Sequence, residues 1–396
     1  MVQDKNQKTL NVPPLRFTGF TDEWKRSTLK DYLIENKERN SRGEFSKDEV
    51  LSVSGDKGIV NQIQLLGRSY AGQSVLPYHI VRRNNIVYTK SPLSEFPYGI
   101  VKMNRGKDGI VSTLYAVYSV LDSADPSFIE YYFASKDRTN RYFKPIVRIG
   151  AKHDMKIGNT EVLENQVNFP DKTEQCRISE FLELIDERID TQNKIIEDLK
   201  KLKSAIIDRL YSEVKGVICT YSELFTVVTE RNSKRIYNKV IAASQEYGMV
   251  ERESLNLKVQ FDEESINTYK IINSGDYVIH LRSFQGGFAF SRLQGICSPA
   301  YIILRPNNRV EYSYFENYFT SAKFINSLRL VTYGIRDGRS INVEEWLSME
   351  VTLPSKEEQK RIIRTIQSIQ DKVSNEINIL TSLHSQRLFL LRELFI

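Results

Sequence analysis

Arginine, glutamine and lysine side chains form one group in each half of the chain. Arginine and glutamine can hydrogen-bond the edges of guanine and adenine, and lysine and arginine neutralise phosphate. A solvated surface charge explains any one of them better, but as sets they indicate binding to nucleic acid. The candidates are Arg68, Gln73, Arg82, Arg83, Lys90, Lys102 and Arg105 in the first half, and Arg231, Lys234, Arg235, Arg282, Gln285, Arg292, Arg336 and Arg339 in the second.

Motifs that would make the chain an enzyme are missing. The sequence contains no phosphate-binding G-x-x-x-x-G-K-[ST] loop, no G-x-G-x-x-G and no G-x-S-x-G. Its four histidines are isolated, and its three cysteines lie too far apart for a metal or disulfide pattern. We therefore predict no catalytic residue, no metal ligand and no cofactor bound by this chain.

Composition sets broad limits on the class of protein. The 396 residues carry 56 Lys+Arg against 50 Asp+Glu, and the net charge of +6 is compatible with a nucleic-acid partner but modest for this length. Hydrophobic residues at 40% argue against wholesale disorder. The sequence shows neither an apolar run of the roughly 18–20 residues that a membrane span needs nor a secretory signal. We expect a cytoplasmic protein with reduced cysteines that does not bind membranes.

An internal repeat organises the candidate residues. The segments 169–211 and 353–395 align without a gap at an offset of 184 residues. Both begin with Pro-x-Lys-x-Glu-Gln-x-Arg-Ile, which contains Gln175 in the first copy and Gln359 in the second. An ungapped match of this length predicts two related long helices.

Each copy carries apolar residues at heptad positions a and d, which is typical of a coiled-coil seam. Lys203 and Arg387 occupy the same a position in the two copies, and Gln192 and Glu376 the same d position. The predicted apolar seam consists of Leu182, Ile185, Ile189, Ile196, Leu199, Ile206 and Leu210 in the first helix, and Ile366, Ile369, Val373, Leu380, Leu383, Leu390 and Leu394 in the second.

The regions before the helices repeat more faintly and have mixed patterns. Glu-Arg-Asn at 38–40 recurs at 230–232, and Gly-Ile-x-Ser at 109–112 recurs at 295–298. Runs such as 86–90, 114–121, 276–281 and 300–305 predict strands, whereas 127–138 and 314–328 predict short helices. We predict an α+β fold of two similar mixed domains, residues 1–168 and 214–352, and two long helices, residues 169–213 and 353–396.

The sequence resembles the specificity subunit of type I restriction–modification systems. The opening PPLRFTGFTDEWKRSTLKDYL, the VLSVS-x-x-x-GIV stretch and the two Pro-x-Lys-x-Glu-Gln-x-Arg-Ile helices carry the resemblance, which covers essentially the whole chain. It implies that each globular part is a target recognition domain for one half of a split, asymmetric sequence in double-stranded DNA. It also implies that the two long helices pair antiparallel as a coiled coil, set the gap and dock two methyltransferase subunits, with restriction subunits joining them. S-adenosylmethionine, ATP and Mg²⁺ would then be bound by those partners.

Other functions remain open from the residues alone. The chain could be a protein–protein scaffold whose coiled coil is its function, which predicts no salt-dependent binding to duplex DNA. It could be an enzyme with an unrecognised site, such as a nuclease, although no carboxylate cluster supports this. It could also act with a modification subunit and have no restriction partner.

Overall fold

The chain forms two compact units that share its long helices. The computed structural model describes residues 11–93, 95–149, 155–244, 247–255, 263–280, 287–333 and 340–396. Unit 1 comprises Met1–Gln192 and Ile379–Ile396, and unit 2 comprises Asn193–Asn378. These bounds differ from the predicted domains, because each unit includes one half of each helix.

Unit 1 contains twelve strands in the residues that the structure describes. A four-stranded antiparallel sheet has the order β2-β9-β6-β7, and β1-β12, β3-β4, β5-β8 and β10-β11 form antiparallel pairs. The strands are β1 Lys25–Thr28, β2 Leu33–Glu35, β3 Leu51–Ser54, β4 Gly58–Asn61, β5 His79–Val81, β6 Ile86–Thr89, β7 Val101–Met103, β8 Gly109–Val111, β9 Tyr115–Val120, β10 Arg148–Ile149, β11 Met155–Lys156 and β12 Gln166–Phe169. The helices are α1 Gln62–Leu66, α2 Pro126–Tyr132, α3 Lys136–Phe143 and α4 Lys172–Ser212, with short 3₁₀ turns at Leu29–Asp31, Lys47–Glu49 and Glu161–Leu163.

Unit 2 has the same strand order. Its four-stranded antiparallel sheet is β14-β21-β18-β19, and β13-β24, β15-β16, β17-β20 and β22-β23 form antiparallel pairs. The strands are β13 Val217–Thr220, β14 Phe225–Val228, β15 Ile241–Ser244, β16 Gly248–Glu251, β17 Lys270–Ile272, β18 Tyr277–Ile279, β19 Phe288–Phe290, β20 Gly295–Cys297, β21 Ile302–Pro306, β22 Thr332–Tyr333, β23 Ser340–Ile341 and β24 Glu350–Leu353. The helices are α5 Tyr314–Tyr318, α6 Ala322–Ser327, α7 Val343–Ser348 and α8 Lys356–Glu393, with 3₁₀ turns at Tyr221–Glu223, Arg252–Leu255, Glu263–Thr268 and Leu328–Leu330.

The central strand of each sheet is buried on both faces. In β6 the side chains of Ile86 and Tyr88 join the large aromatic core of unit 1, and Val87 points to a second cluster with Leu51 and Val117. Successive side chains of a strand point to opposite faces, so the sheet separates two apolar layers. Strand β18 repeats this alternation in unit 2.

Two regions that we predicted as single helices are each divided in two. Residues 127–138 lie in α2 and α3, and residues 314–328 span α5, α6 and a 3₁₀ turn. The breaks lie at Ser135 and Ser321, whose hydroxyls accept hydrogen bonds from the backbone N–H of Arg138 and Phe324. A serine hydroxyl that caps the start of a second helix in this way favours ending the first helix at that residue.

The predicted seam residues are all buried or half-buried. In unit 1, Leu182 of α4 and Leu390 of α8 belong to one core cluster with the aromatic residues of the globular part. In unit 2, the C-terminal part of α4 packs with the N-terminal part of α8, through Ile207 and Ile366. Opposite ends of the two helices therefore meet in each unit, as antiparallel helices require. Among the described residues, no helix is long and apolar enough to cross a membrane.

The repeated glutamine fixes the start of each long helix. Gln175 is fully buried; its Oε1 accepts from the Asp125 N–H at 2.9 Å, and its Nε2 donates to the carbonyl oxygens of Pro170 and Ser123 at 3.0 and 3.3 Å. In unit 2 the buried Gln359 makes the equivalent contacts to the Glu311 N–H and to the carbonyl oxygens of Pro354 and Arg309. The Pro-x-Lys-x-Glu-Gln repeat is therefore a structural motif.

Candidate nucleic-acid interface

A loop anchored by a buried asparagine lies in each unit. In unit 2 the fully buried Asn232 donates from Nδ2 to the Tyr237 carbonyl oxygen at 2.7 Å and accepts from the Tyr237 N–H at 3.1 Å. Its own N–H donates to the Tyr269 carbonyl oxygen at 2.9 Å, and its carbonyl oxygen accepts from the Arg235 N–H at 2.8 Å. We call residues 231–239 the Asn232 loop; its asparagine holds both the turn and the returning chain.

Both ends of the Asn232 loop are tied to neighbouring strands. Arg231 forms a backbone bridge with Lys270, and Val240, just after the loop, forms one with Ile296. Next to that bridge, a Cβ on Gly295 would lie 2.5 Å from the Lys239 carbonyl oxygen, closer than any side chain tolerates. The repeated glycine of the Gly-Ile-x-Ser motif is therefore needed for this close approach.

Unit 1 contains the corresponding Asn40 loop, residues 39–49. Asn40 is fully buried and pairs with the Phe45 N–H and carbonyl oxygen at 3.0 and 2.8 Å. The Gly43 N–H donates to the Asn40 carbonyl oxygen, and a Cβ on Gly109 would lie 2.6 Å from the Glu49 carbonyl oxygen. Both asparagines belong to the repeated Glu-Arg-Asn motif, so the repeat could have indicated them. From the sequence alone we assigned them no role.

Arg82 binds carboxylates of its own unit. Its guanidinium lies 2.9 Å from Glu38, 2.7 Å from Glu44 and 3.4 Å from Asp108. These contacts hold the Asn40 loop and also lower the pKa of Glu44. An arginine that is surrounded by three carboxylates has little capacity left for phosphate.

Two more candidates, Lys90 and Lys102, point inward. Lys90 is half-buried, and its Nζ donates to the Ile157 carbonyl oxygen at 3.0 Å and to the Asn159 side chain. Lys102 lies 3.9 Å from the buried Glu130. Burial lowers the pKa of both lysines. Their contacts are those of structural residues.

Arg105 belongs to an ion-pair network between the globular part of unit 1 and both long helices. Its guanidinium contacts Glu130 at 3.0 Å and Glu183 of α4 at 2.6 Å. One turn along α4, Asp186 pairs with Arg387 of α8 and accepts from the Tyr131 hydroxyl at 2.9 Å. Arg387, which interrupts the apolar seam, therefore has Asp186 as its ionic partner.

In the described residues of unit 2, the corresponding junction between the globular part and the long helices contains fewer ion pairs. Lys203, at the heptad position that matches Arg387, donates to Gln370 of α8. Arg292, another candidate, pairs with Glu316 at 2.6 Å, and burial raises the pKa of that glutamate. Arg292 therefore also has an intramolecular partner.

Five charged candidates remain exposed, and the described part of the chain offers them no carboxylate partner. Arg68 stacks on the ring of the exposed Tyr70, with 4.6 Å between its Cζ and the ring centroid. Gln73 lies exposed a few residues further along the same loop. The five charged residues are Arg68, Arg83, Arg231, Lys234 and Arg235. Arg282, Gln285, Arg336 and Arg339 lie outside the described residues.

His79 gives unit 1 a pH-dependent stability. Its imidazole is buried, its Nδ1 has no hydrogen-bond partner among the described residues, and burial together with nearby Arg39 lowers its pKa from 6.5 to about 4. The unfolded chain therefore binds the proton more tightly, so stability is complete above pH 6.5 and falls as the pH drops towards 4. We expect His79 to account for a loss of about 3 kcal/mol between pH 7 and pH 4.

Urea unfolding of the wild type and of His79→Leu between pH 7 and pH 4.5 checks this expectation. The variant keeps an apolar side chain of similar size in the buried position but cannot take up a proton. Its unfolding free energy should fall less steeply with decreasing pH than that of the wild type. Equal slopes for the two proteins would contradict the assignment to His79.

The described part of each unit shows no arrangement typical of metal chemistry. Among the described residues, no group of three or more histidine, cysteine, aspartate or glutamate side chains is placed to hold a metal ion. The exposed cations of the Asn232 loop, Arg231, Lys234 and Arg235, are donors suited to an anionic partner such as a nucleic-acid backbone.

Part of the chain is similar to a known protein family. Residues 217–384 match the family model of the type I restriction modification DNA specificity domain. Over these residues the chain is similar to the type I restriction–modification specificity family. The match confirms the resemblance seen in the sequence and supports a role in DNA sequence specificity.

Solved structures share the fold. The type I restriction–modification S subunit from M. genitalium is 15% identical, with a TM-score of 0.52 over 97% of this chain and 99% of its own. A chain from a structural study of complex assembly and conformational transition in the type I R-M system is 13% identical, with a TM-score of 0.58 over 94% of this chain and 97% of its own. No curated protein sequence matches the chain.

Proposed function

We propose that each unit recognises one half of a bipartite, asymmetric sequence in double-stranded DNA. The observation that carries this proposal is that the two units have the same strand order but differ in their exposed loops. A shared scaffold with different side chains at the same place is what two different half-sites require, because sequence is read by side chains at base edges. The fold of the recognition unit is thus duplicated, whereas the two copies recognise different half-sites.

The two long helices join the recognition units and dock the methyltransferase. Helices α4 and α8 continue without a break through residues 172–212 and 356–393, so a change in helix length would act on the gap between half-sites. Their outer faces carry large apolar side chains that are exposed to solvent. These are Leu184, Leu388 and Phe389 in unit 1, and Ile195, Leu202 and Ile377 in unit 2. Apolar groups of this kind favour a protein partner.

The chemistry is supplied by the partners. Two methyltransferase subunits would bring S-adenosylmethionine to adenine, and restriction subunits would bring ATP and Mg²⁺. This chain would act in the cytoplasm as a non-catalytic subunit that chooses the site. A scaffold without DNA recognition is not favoured, because the family model that matches is a DNA specificity domain.

Co-expression with the methyltransferase subunit of the same type I system, followed by genome-wide mapping of N6-methyladenine, tests the proposal. We expect one split, asymmetric motif that is methylated only when this chain is present. The matched control is the methyltransferase subunit expressed alone. A stable complex that leaves the genome unmethylated would contradict the proposal.

A further inference from the structure

The two asparagine-anchored loops differ sharply in charge. The Asn232 loop contains Arg231, Lys234, Arg235 and Lys239 and no acidic residue, so its formal charge is +4. The Asn40 loop contains three basic and three acidic residues, so its formal charge is zero. The asparagine anchor and the turn that follows it are the same in both loops, so the side chains of the loops decide which of them suits DNA.

Three of the four cations on the Asn232 loop are available to a ligand. Lys239 pairs with Glu251, whereas Arg231, Lys234 and Arg235 are exposed and have no carboxylate partner in the described parts of the chain. Ile236, next to Arg235, is 65% exposed. The loop therefore presents phosphate-binding, base-edge-binding and methyl-contacting side chains within six residues.

Arg235 occupies a backbone position that favours glycine. Its φ is 51°, in the left-handed region, and the matching turn of the Asn40 loop has Gly43 there with φ 68°. A non-glycine residue in this conformation costs about 1 kcal/mol or more, and such residues cluster at functional sites. Unit 2 keeps an arginine where the fold would be more stable with glycine.

The Asn232 loop is also held rigidly. The side chain of Asn232 binds Tyr237, and the Tyr237 hydroxyl accepts from Nε2 of Gln294 at 3.0 Å. Backbone bridges fix both ends, as described above. A loop that is already ordered loses little conformational entropy when it binds, which favours both affinity and a fixed register on the ligand.

We propose that the Asn232 loop is the element of unit 2 that enters a groove of DNA. Arg235 contacts a base edge, with guanine as the favoured partner of an arginine, and Ile236 contacts an apolar group such as the thymine methyl. Arg231 and Lys234 contact the flanking phosphates. The inference rests on the proposed function, and it names the residues that determine one half-site.

Arg235→Gly is the decisive variant, because glycine fits the left-handed backbone and should not weaken the fold. Chain and methyltransferase subunit are co-expressed, N6-methyladenine is mapped, and binding is measured on a duplex that carries the wild-type motif. We expect one half-site to become degenerate at one or two positions while the other stays unchanged. Affinity for the motif duplex should fall about 10- to 100-fold, and the thermal midpoint should stay equal or rise.

Three further variants separate the roles. Ile236→Ala should relax the same half-site more weakly. Lys234→Ala should leave the motif unchanged and weaken binding to all duplexes alike, as expected for a phosphate contact. Arg42→Ala, in the matching turn of the Asn40 loop, is the control and should change neither half-site.

The outcomes distinguish this inference from the proposed function. An unchanged motif and affinity in Arg235→Gly, or equal degeneration of both half-sites, would overturn the role of the loop while the wild-type motif still supports the function. If the wild-type complex methylates no split motif, the proposed function fails and the inference fails with it.

Discussion

Raising the salt concentration from about 50 mM to about 200 mM should weaken binding of duplex DNA about 150-fold. Each neutralised phosphate contributes about −0.9 to the slope of log affinity against log salt, and four phosphate contacts give a slope of about −3.6. The four residues that we expect to make these contacts are exposed and have no carboxylate partner in the described chain. They are Arg68, Arg83, Arg231 and Lys234. Fluorescence anisotropy of a labelled duplex over a salt series measures the slope.

Two lysine variants make this prediction specific to residues. Lys234→Ala should make the slope less steep by about 0.9. Lys30→Ala removes the same charge from a lysine that already pairs with Glu164 at 3.1 Å, and it should leave the slope unchanged. A slope near zero for the wild type, or equal effects of the two substitutions, would show that these cations do not carry the binding.

Replacing either buried glutamine by leucine should destabilise one unit by about 3 kcal/mol. Gln359→Leu leaves the Glu311 N–H and the carbonyl oxygens of Pro354 and Arg309 without their partner, and each buried unsatisfied group costs about 1–3 kcal/mol. Gln175→Leu has the same effect in unit 1. A unit of this size should lose about 6–12 °C in its thermal midpoint.

Calorimetry of the full chain checks this expectation, because it can separate transitions when the two units unfold independently. Gln175→Leu should lower the transition of unit 1, and Gln359→Leu that of unit 2. The control is Gln367→Leu, on the exposed side of α8, where the glutamine contacts only Asp371 within the described chain. If Gln175→Leu and Gln359→Leu lower the thermal midpoint no more than Gln367→Leu does, the buried glutamines do not fix the helix starts.

The outline of the fold could be predicted because its signals are local or repeated. The heptad pattern predicted both long helices, and the structure begins and ends them within three residues of the predicted bounds, at Lys172–Ser212 and Lys356–Glu393. Runs of β-branched and aromatic residues predicted central strands such as β6 and β18. The breaks at Ser135 and Ser321 were missed, because a serine inside an apolar helical pattern caps a new helix only where the tertiary structure turns the chain.

The candidate site could be predicted only in part. Residue type selected Arg231, Lys234 and Arg235, which are exposed, but it equally selected Lys90 and Arg105, whose charges are used inside unit 1. Whether a cation faces a ligand or a carboxylate depends on residues far away in sequence, such as Glu183 for Arg105. No local pattern contains that information.

The sequence by itself determined the repeat, the helices, the absence of catalytic motifs and the resemblance to a DNA specificity family. These follow from periodicity and from residues whose spacing along the chain is their signal. Only the tertiary structure decided that the repeated asparagines and glutamines are buried anchors, that each long helix contributes to two cores, and that the Asn232 loop keeps its cations free of carboxylates in the described chain. Burial and pairing arise from contacts between distant segments, and so they appear only when the chain is folded.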